Sequence, residues 1–407
     1  MEYKFNEIVR QATPGDNVVI ALCDLKPGDV IKHQNGKSIT IKYFVLEGHR
    51  IAFSEIKTGE KLLSWGLPFG LAIHDILPGE ALFNDSVLRD LKKRKLNIFT
   101  PNNPNFKDWS QKFILDHSNI AYSEQVPITY CDRTFQGFER PNGRGSGIRN
   151  HVVVLGTSSR VTPFIKLLSK SLPNEFPCHT KSFDGVVTVY HSEGGGFKKE
   201  NNHELVLRTL SGWIVHSNIS SILLIDHGDE AVNNKEVFDY LKTKQYPIKG
   251  SLIKTLSISK RQISSCLNEA RNSIGLMVDK ARKEQRTSCP LSDIKIALQC
   301  GGSDAFSGMS GNPLAGLIAK EAIQHGGSAN LAETSELIGA ESYVLQKVKN
   351  LDVAKRFLNT IDRFQSMAQW HGHSAEGNPS GGNLFRGLYN ISVKSIGAAN
   401  KKHPDLR

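Results

Sequence analysis

Three short apolar runs, at 152–155, 186–190 and 222–225, are separated by stretches whose apolar residues recur at helical spacing, among them Leu207, Leu210 and Ile214. Runs of this length without polar alternation suit strands buried on both faces, and helices between them suit the crossovers of a parallel sheet. The pattern predicts an α/β fold with parallel layers. A fourth run, Ile294-Lys295-Ile296-Ala297-Leu298, follows a long charged helix candidate at 260–286 and opens a second α/β section. Open α/β sheets bind ligands beyond the carboxyl ends of their strands. The segments there are polar and glycine-rich: His191-Ser192-Glu193-Gly194-Gly195-Gly196, Asp226-His227-Gly228-Asp229-Glu230 and Gln299-Cys300-Gly301-Gly302-Ser303-Asp304. All three are expected at one sheet edge.

Residues 16–90 have a different texture. Alternating runs such as Ile39-Thr40-Ile41-Lys42-Tyr43 are punctuated by turns and read as hairpins. Asp24-Leu25-Lys26-Pro27-Gly28-Asp29-Val30-Ile31 recurs as Asp75-Ile76-Leu77-Pro78-Gly79-Glu80-Ala81-Leu82, and Glu55-Ile56-Lys57-Thr58-Gly59-Glu60-Lys61-Leu62 repeats it without the proline. Each copy puts glycine where a turn needs positive φ, then restarts an apolar strand. The expected layout is a small β-rich module at 1–91, a polar linker at 92–125, a first α/β domain at 126–257 and a second at 258–407.

With 407 residues, 39% of them hydrophobic, the chain can bury large cores without staples. Its charged first residues lack a secretory apolar stretch, and no run approaches the ~20 apolar residues of a membrane span. The cytosol is the expected location, with no membrane partner. Cys23, Cys131, Cys178, Cys266, Cys289 and Cys300 stand singly and read as reduced thiols. The net charge of +11 favours anionic partners, but Lys and Arg are spread along the chain. The densest run, Arg89 to Lys95, reads as a solvated basic face or linker, so nucleic-acid binding ranks well below a small carboxylate ligand. Self-association into a homo-oligomer stays open.

The sharpest string is Leu298-Gln299-Cys300-Gly301-Gly302-Ser303-Asp304-Ala305-Phe306-Ser307-Gly308-Met309-Ser310-Gly311-Asn312-Pro313. Paired glycines let backbone N–H groups approach an anion, while Ser303, Asp304 and Ser307 supply polar side chains. Asn312 before Pro313 reads as the cap and first turn of a helix whose positive end faces the loop.

This string resembles the LQCGGSD…NP signature of the altronate/galactarate dehydratase family, which includes a sulfolactate sulfo-lyase branch. Further pieces match in order. Arg140-Pro141-Asn142-Gly143-Arg144-Gly145-Ser146-Gly147-Ile148-Arg149-Asn150 resembles the family's RxDGRxGxRN motif. Glu333-Thr334-Ser335-Glu336 with Gly339-Ala340-Glu341 resembles ETxExxGAE. Asn378-Pro379-Ser380-Gly381-Gly382-Asn383 and Lys394-Ser395-Ile396-Gly397 resemble NPSPGN and KSLG, and Gly48-His49-Arg50-Ile51-Ala52 stands at a GHKIA position. The N-terminal module is thereby similar to the family's SAF-type β domain. Departures are specific: Phe83, Asp85 and Ser86 stand in place of an HxHN element, Ser64-Trp65-Gly66 in place of Lys-Tyr-Gly, Asn142 for an aspartate, and Gly195 and Asp229 for loop cysteines. Family members also continue beyond the KSLG element, so the second α/β domain is expected to be shortened.

The resemblance implies dehydration of a sugar acid to a 2-keto-3-deoxy acid, assisted by a divalent cation such as iron or another hard ion. That chemistry removes the proton beside a carboxylate and expels hydroxide from the next carbon. Candidates for catalysis are His191, Asp304 and Lys394. Arg140, Arg144, Arg149, Gly301, Gly302, Ser303, Ser307 and Asn383 are candidates for substrate binding, and His191, Glu193, Asp229 and Glu230 for the metal. Structural readings stand beside these: salt bridges for the arginines, a satisfied histidine, a packing role for Cys300, and a solvated helix face for Glu333, Glu336 and Glu341. The alternative to an enzyme is a catalytically silent relative that keeps the scaffold for binding.

Overall fold

The computed structural model describes the chain apart from residues 34–35, 97, 99, 110–111, 117, 119, 130–132 and 179–180. Cys131 and parts of the expected linker lie outside the described residues. Two compact units form: Cys131–Ile294, and Met1–Tyr130 together with Lys295–Arg407.

The 131–294 unit holds a four-stranded parallel sheet in the spatial order Val186–Val189, His151–Gly156, Ile219–Asp226, Leu252–Ser257. Alternate residues of the two central strands divide between two cores, as a sheet covered on both faces requires. Val152, Val154, Leu223 and Ile225 pack with the helices Thr162–Ser169 and Ile263–Lys283. Val153, Leu155, Ile222 and Leu224 pack with His203–Val215 and Asn234–Thr243. The long helix expected to open the second α/β section instead covers this sheet, burying Cys266, Ala270, Ile274, Met277 and Ala281. Its apolar positions recur every three or four residues, and that stripe needs a sheet to cover.

In the other unit the internal echo is a repeated turn. The backbone N–H groups of Lys26, Lys57 and Leu77 donate to the side chains of Asp29, Glu60 and Glu80, three residues on in each case. Leu25, Ile56 and Ile76, one residue before each donor, are all buried. Gly28, Gly59 and Gly79 take φ of 87°, 82° and 87° between them, the left-handed region glycine enters freely. Short strands restart after each turn and surround a core that also takes in Leu388, Tyr389 and Val393. The basic run lies at the end of the helix Asp85–Arg94, capped by the Asn84 side chain, where its cations oppose the helix dipole.

Residues 295–407 supply a parallel strand pair, Lys295–Leu298 with Ser328–Leu331, joined through the helix Asn312–Gln324. A buried helix, Ile391–Ala399, follows the Asn390 cap. Glu333, Glu336 and Glu341 do not share one helix: Gly339, at φ 86°, separates the turn Thr334–Leu337 from the short helix Glu341–Val344. Glu336 is buried, so the solvated-face reading fails for it. Among the described residues, Cys23, Cys178, Cys266, Cys289 and Cys300 are free thiols, and no helix is long and apolar enough to cross a membrane.

Candidate functional site

The strand Lys295–Leu298 delivers the glycine string to the edge of a cavity of about 130 Å³. Gly301, Gly302, Ser303, Asp304 and Ser307 line it, together with Lys394 and Lys401. Asp304 Oδ1 accepts from the Ser307 backbone N–H at 2.7 Å and from its hydroxyl at 2.9 Å. A π-helical turn, Ser307–Gly311, then runs straight into Asn312–Gln324. Asn312 is therefore helical and not a cap; its side-chain amide donates to the Gly397 carbonyl at 2.9 Å, tying the string to the Lys394 helix. π turns of this kind recur at functional sites because they redirect side chains within a helix.

Asn383 reaches the same place from its own short helix, donating to the Ser303 carbonyl at 2.9 Å. The Lys394 ammonium donates to Asn378 Oδ1 at 2.6 Å. Cys300 Sγ and Ser303 Oγ lie 2.8 Å apart. Trp65 walls the cavity, and Gly308 is tight against it: a Cβ there would stand 2.8 Å from the indole ring. In contrast, a Cβ on Gly301 or Gly302 would meet nothing within 4 Å, and neither has positive φ. The chain's own packing does not demand glycine at those two positions.

Lys401 was not singled out by sequence. It forms an ion pair with Glu336, and the two side chains are 6% and 1% exposed. Burial raises the Glu336 carboxyl above its usual range, while Lys401 acts in the opposite sense. The two residues lie 65 positions apart, so no local spacing signals the pair.

In the 131–294 unit, His191, Glu193, Asp229 and Glu230 stand beyond the carboxyl ends of the strands. There the Ser159 N–H donates to the Glu193 carbonyl at 2.8 Å and the Ala231 N–H to the Gly196 carbonyl at 2.9 Å. The 299–304 loop is carried by the strand pair of the other unit, so one sheet edge holds two of the three expected segments. His191 Nε2 contacts the Gly156 carbonyl at 3.1 Å and Nδ1 accepts from the Glu193 N–H at 3.2 Å. Both ring nitrogens are thus engaged by backbone, and burial pushes the imidazole below its ordinary range toward the neutral form.

The set expected to hold a divalent cation does not fit one. Glu230 accepts from Ser158 Oγ and from the N–H groups of His227, Gly228 and Asp229, at 2.7–3.1 Å. Its oxygens are spent on shaping the loop. Glu193 is held by Ser192 at 2.8 Å and Asn202 at 2.6 Å. His227, Asp229 and Glu230 do bring ligand-type atoms within 4.8 Å of one another, a coarse cluster, but His227 already meets Asp229 at 2.6 Å and Arg160 meets it at 3.0 Å.

The arginines of the substrate-clamp expectation separate into two kinds. Arg140 donates to the Ser217 carbonyl at 2.7 Å, Asn150 at 2.7 Å and Glu284 at 2.9 Å. Arg144 donates to the carbonyls of Val215, His216 and Ile219 and to Ser251 Oγ, between 2.7 and 3.1 Å. These partners lie where the strands begin, opposite the carboxyl edge. Both guanidinium groups are buried and fully used by the fold, which overturns their reading as a carboxylate clamp. Arg149 pairs with Asp184 at 2.8 Å on the surface.

The family departures also have structural jobs. Phe83 is buried in the N-terminal core, Asp85 opens the capped helix, and Asn142 takes a left-handed turn at φ 60°.

Three family descriptions match in chain order: the altronate/galactarate dehydratase SAF domain over 7–89, the D-galactarate dehydratase/altronate hydrolase second domain over 137–282, and the D-galactarate/altronate dehydratase C-terminal domain over 291–405. An altronate dehydratase of Bacillus subtilis is 29% identical over 95% of this chain and 72% of its own length. An altronate dehydratase of Escherichia coli is 26% identical over the same shares. The beta subunit of a (2R)-sulfolactate sulfo-lyase from Chromohalobacter salexigens is 30% identical over 66% of this chain and 64% of its own length. With all three of its domains matched in order, the chain belongs to the altronate/galactarate dehydratase family of lyases.

Proposed function

We propose that this chain removes water from an altronate- or galactarate-like sugar acid, in the cytosol, and releases a 2-keto-3-deoxy acid. One observation carries the reading: the cavity gathers Gly301, Gly302, Ser303, Asp304, Ser307 and Lys394 around space that the chain's own packing leaves open. At about 130 Å³ it lies below the ~300 Å³ at which drug-sized pockets begin, which suits a small acid.

In this reading the substrate carboxylate sits at the glycine pair, with Lys394 supplying positive charge and Asn383 holding the loop through the Ser303 carbonyl. Asp304 keeps one oxygen fixed by Ser307 and uses the other to take the proton from the carbon beside the carboxylate. The electron pair moves into an enediolate, which the ammonium and backbone N–H groups stabilise. The C–O bond at the next carbon breaks, the oxygen leaves as water after gaining a proton, and the enol relaxes to the 2-keto acid. The divalent cation implied by the resemblance, iron or another hard ion, would neutralise enediolate charge; its expected donors do not fit it, and the sequence above runs on the chain's own groups.

The test is a panel of aldonic and aldaric acids offered to the purified chain, with and without added divalent metal, reading 2-keto acid formation. Product from at least one acid, reduced by Asp304→Asn, supports the reading. A silent panel with measurable acid binding favours the second reading, a non-catalytic relative, for which the occupation of the HxHN positions by Phe83 and Asp85 speaks.

A further inference from the structure

We propose that Lys401, oriented by the buried carboxylate of Glu336, is the proton donor to the departing hydroxyl in the cavity of Asp304 and Lys394. The assignment rests on the dehydratase reading above.

Lys401 lines the cavity, yet its side chain is only 6% exposed, and its ion-pair partner Glu336 is 1% exposed. Taking two charges out of water costs more than their attraction returns unless every remaining lone pair is satisfied. Here it is not: the second Glu336 oxygen, Oε1, is buried without a hydrogen-bond partner, and so is the neighbouring hydroxyl of Ser395 on the Lys394 helix. A pair retained only for stability would be better replaced by apolar side chains. What it does provide is an ammonium at a cavity wall, fixed in one orientation.

The two lysines divide the work. Lys394 is bound to the neutral amide of Asn378, so its positive charge is left to meet an anion. Lys401 has its charge met by Glu336 and is suited to giving up a proton. The groups acting on Glu336 are Lys401 and Lys394, which favour its ionised form, and Glu333, which opposes it. In the elimination Asp304 takes the carbon-bound proton, the C–O bond breaks toward oxygen, and an ammonium proton of Lys401 completes the departing water. The resulting amine is re-protonated from solvent and Asp304 returns its proton there, so protons balance over a turnover.

The experiment uses whichever acid the wild-type chain dehydrates. Lys401→Ala should lower kcat by 10²- to 10⁴-fold, the range of general acid catalysis, with little change in KM. Small primary amines added to the buffer should restore part of that rate, which a purely structural lysine would not allow. Glu336→Gln should lower kcat and shift the alkaline limb of the pH–rate profile. The double variant Lys401→Met, Glu336→Leu guards against misfolding, since it replaces a buried pair with apolar groups; it should melt at or above the wild-type temperature and remain inactive. A folded double variant or Lys401→Ala with wild-type kcat overturns the assignment while leaving the dehydratase reading intact. Loss of activity without amine rescue also overturns it. A wild-type chain silent on every acid overturns the reading and the assignment together.

Discussion

The Tyr389 hydroxyl accepts the backbone N–H of Arg50 at 2.8 Å, and the same arginine's guanidinium lies 5.8 Å from the tyrosine ring centroid. Arg50 is wholly buried, faces Trp65 and Phe69 at 5.6 and 5.5 Å, and donates to the Gly387 carbonyl at 2.8 Å. Burial draws its basicity down to about 10. The residue at the GHKIA position thus bolts the N-terminal module to the segment leading into the Lys394 helix. Tyr389→Phe should leave a buried N–H unpaired and cost about 1–3 kcal/mol, read as a lower urea midpoint for this unit.

His49 sets an acid limit on the same contact. Its ring is fully buried against the Phe385 carbonyl at 3.1 Å, and desolvation pulls its pKa from 6.5 to about 4. A base depressed in the folded state contributes stability above its unfolded pKa and loses it as pH falls. The loss should therefore run from pH 6.5 down to about 4, amounting to about 3 kcal/mol. Melting temperatures across that window should fall in the wild type and fall less in His49→Gln.

Two glycines in the repeated turns separate backbone strain from crowding. Gly79 and Gly59 have φ of 87° and 82°, but a Cβ on Gly79 would stand 2.0 Å from the Thr40 carbonyl while one on Gly59 meets nothing within 4 Å. Gly59→Ala should cost about 1–2 kcal/mol from the left-handed conformation alone. Gly79→Ala should cost clearly more, because backbone must move, and thermal melts of the two variants will rank them.

Arg144→Ala should unfold rather than disarm. Four hydrogen bonds vanish and buried carbonyls are stranded, so destabilisation of about 3 kcal/mol or more is expected for the 131–294 unit. KM of the folded fraction should not change; a raised KM with native stability would return Arg144 to the substrate.

Asp304→Asn should retain the Ser307 contact through its amide oxygen and keep native melting, while kcat falls by at least 10² because an amide cannot take the proton. Lys394→Met should act mainly on KM, since it removes charge from the binding end of the cavity. Steady-state kinetics on the two variants separates these roles.

The sequence by itself determined what depends on near neighbours. The three turn repeats were legible because glycine, the acidic residue after it and the apolar residue before it act within a few positions. The parallel sheet was legible because strands buried on both faces need unbroken apolar runs. The family string identified Gly301 to Ser307 and Lys394, and the fold brings them to one cavity.

Tertiary structure decided what depends on who meets whom across long stretches of chain. A helix pattern at 263–283 does not say which sheet it covers, and it covers the earlier one. An arginine-rich loop looks alike whether its guanidinium groups meet a substrate or backbone carbonyls, and Arg140 and Arg144 meet carbonyls where the strands begin. Polar loops after strands look like ligand sites, yet Glu230 and His191 spend their lone pairs and protons on their own backbone. The Lys401–Glu336 pair is the clearest case. Each residue is unremarked in its local context, and only packing buries the two together at a cavity wall, where the low dielectric turns a common ion pair into a chemically consequential one.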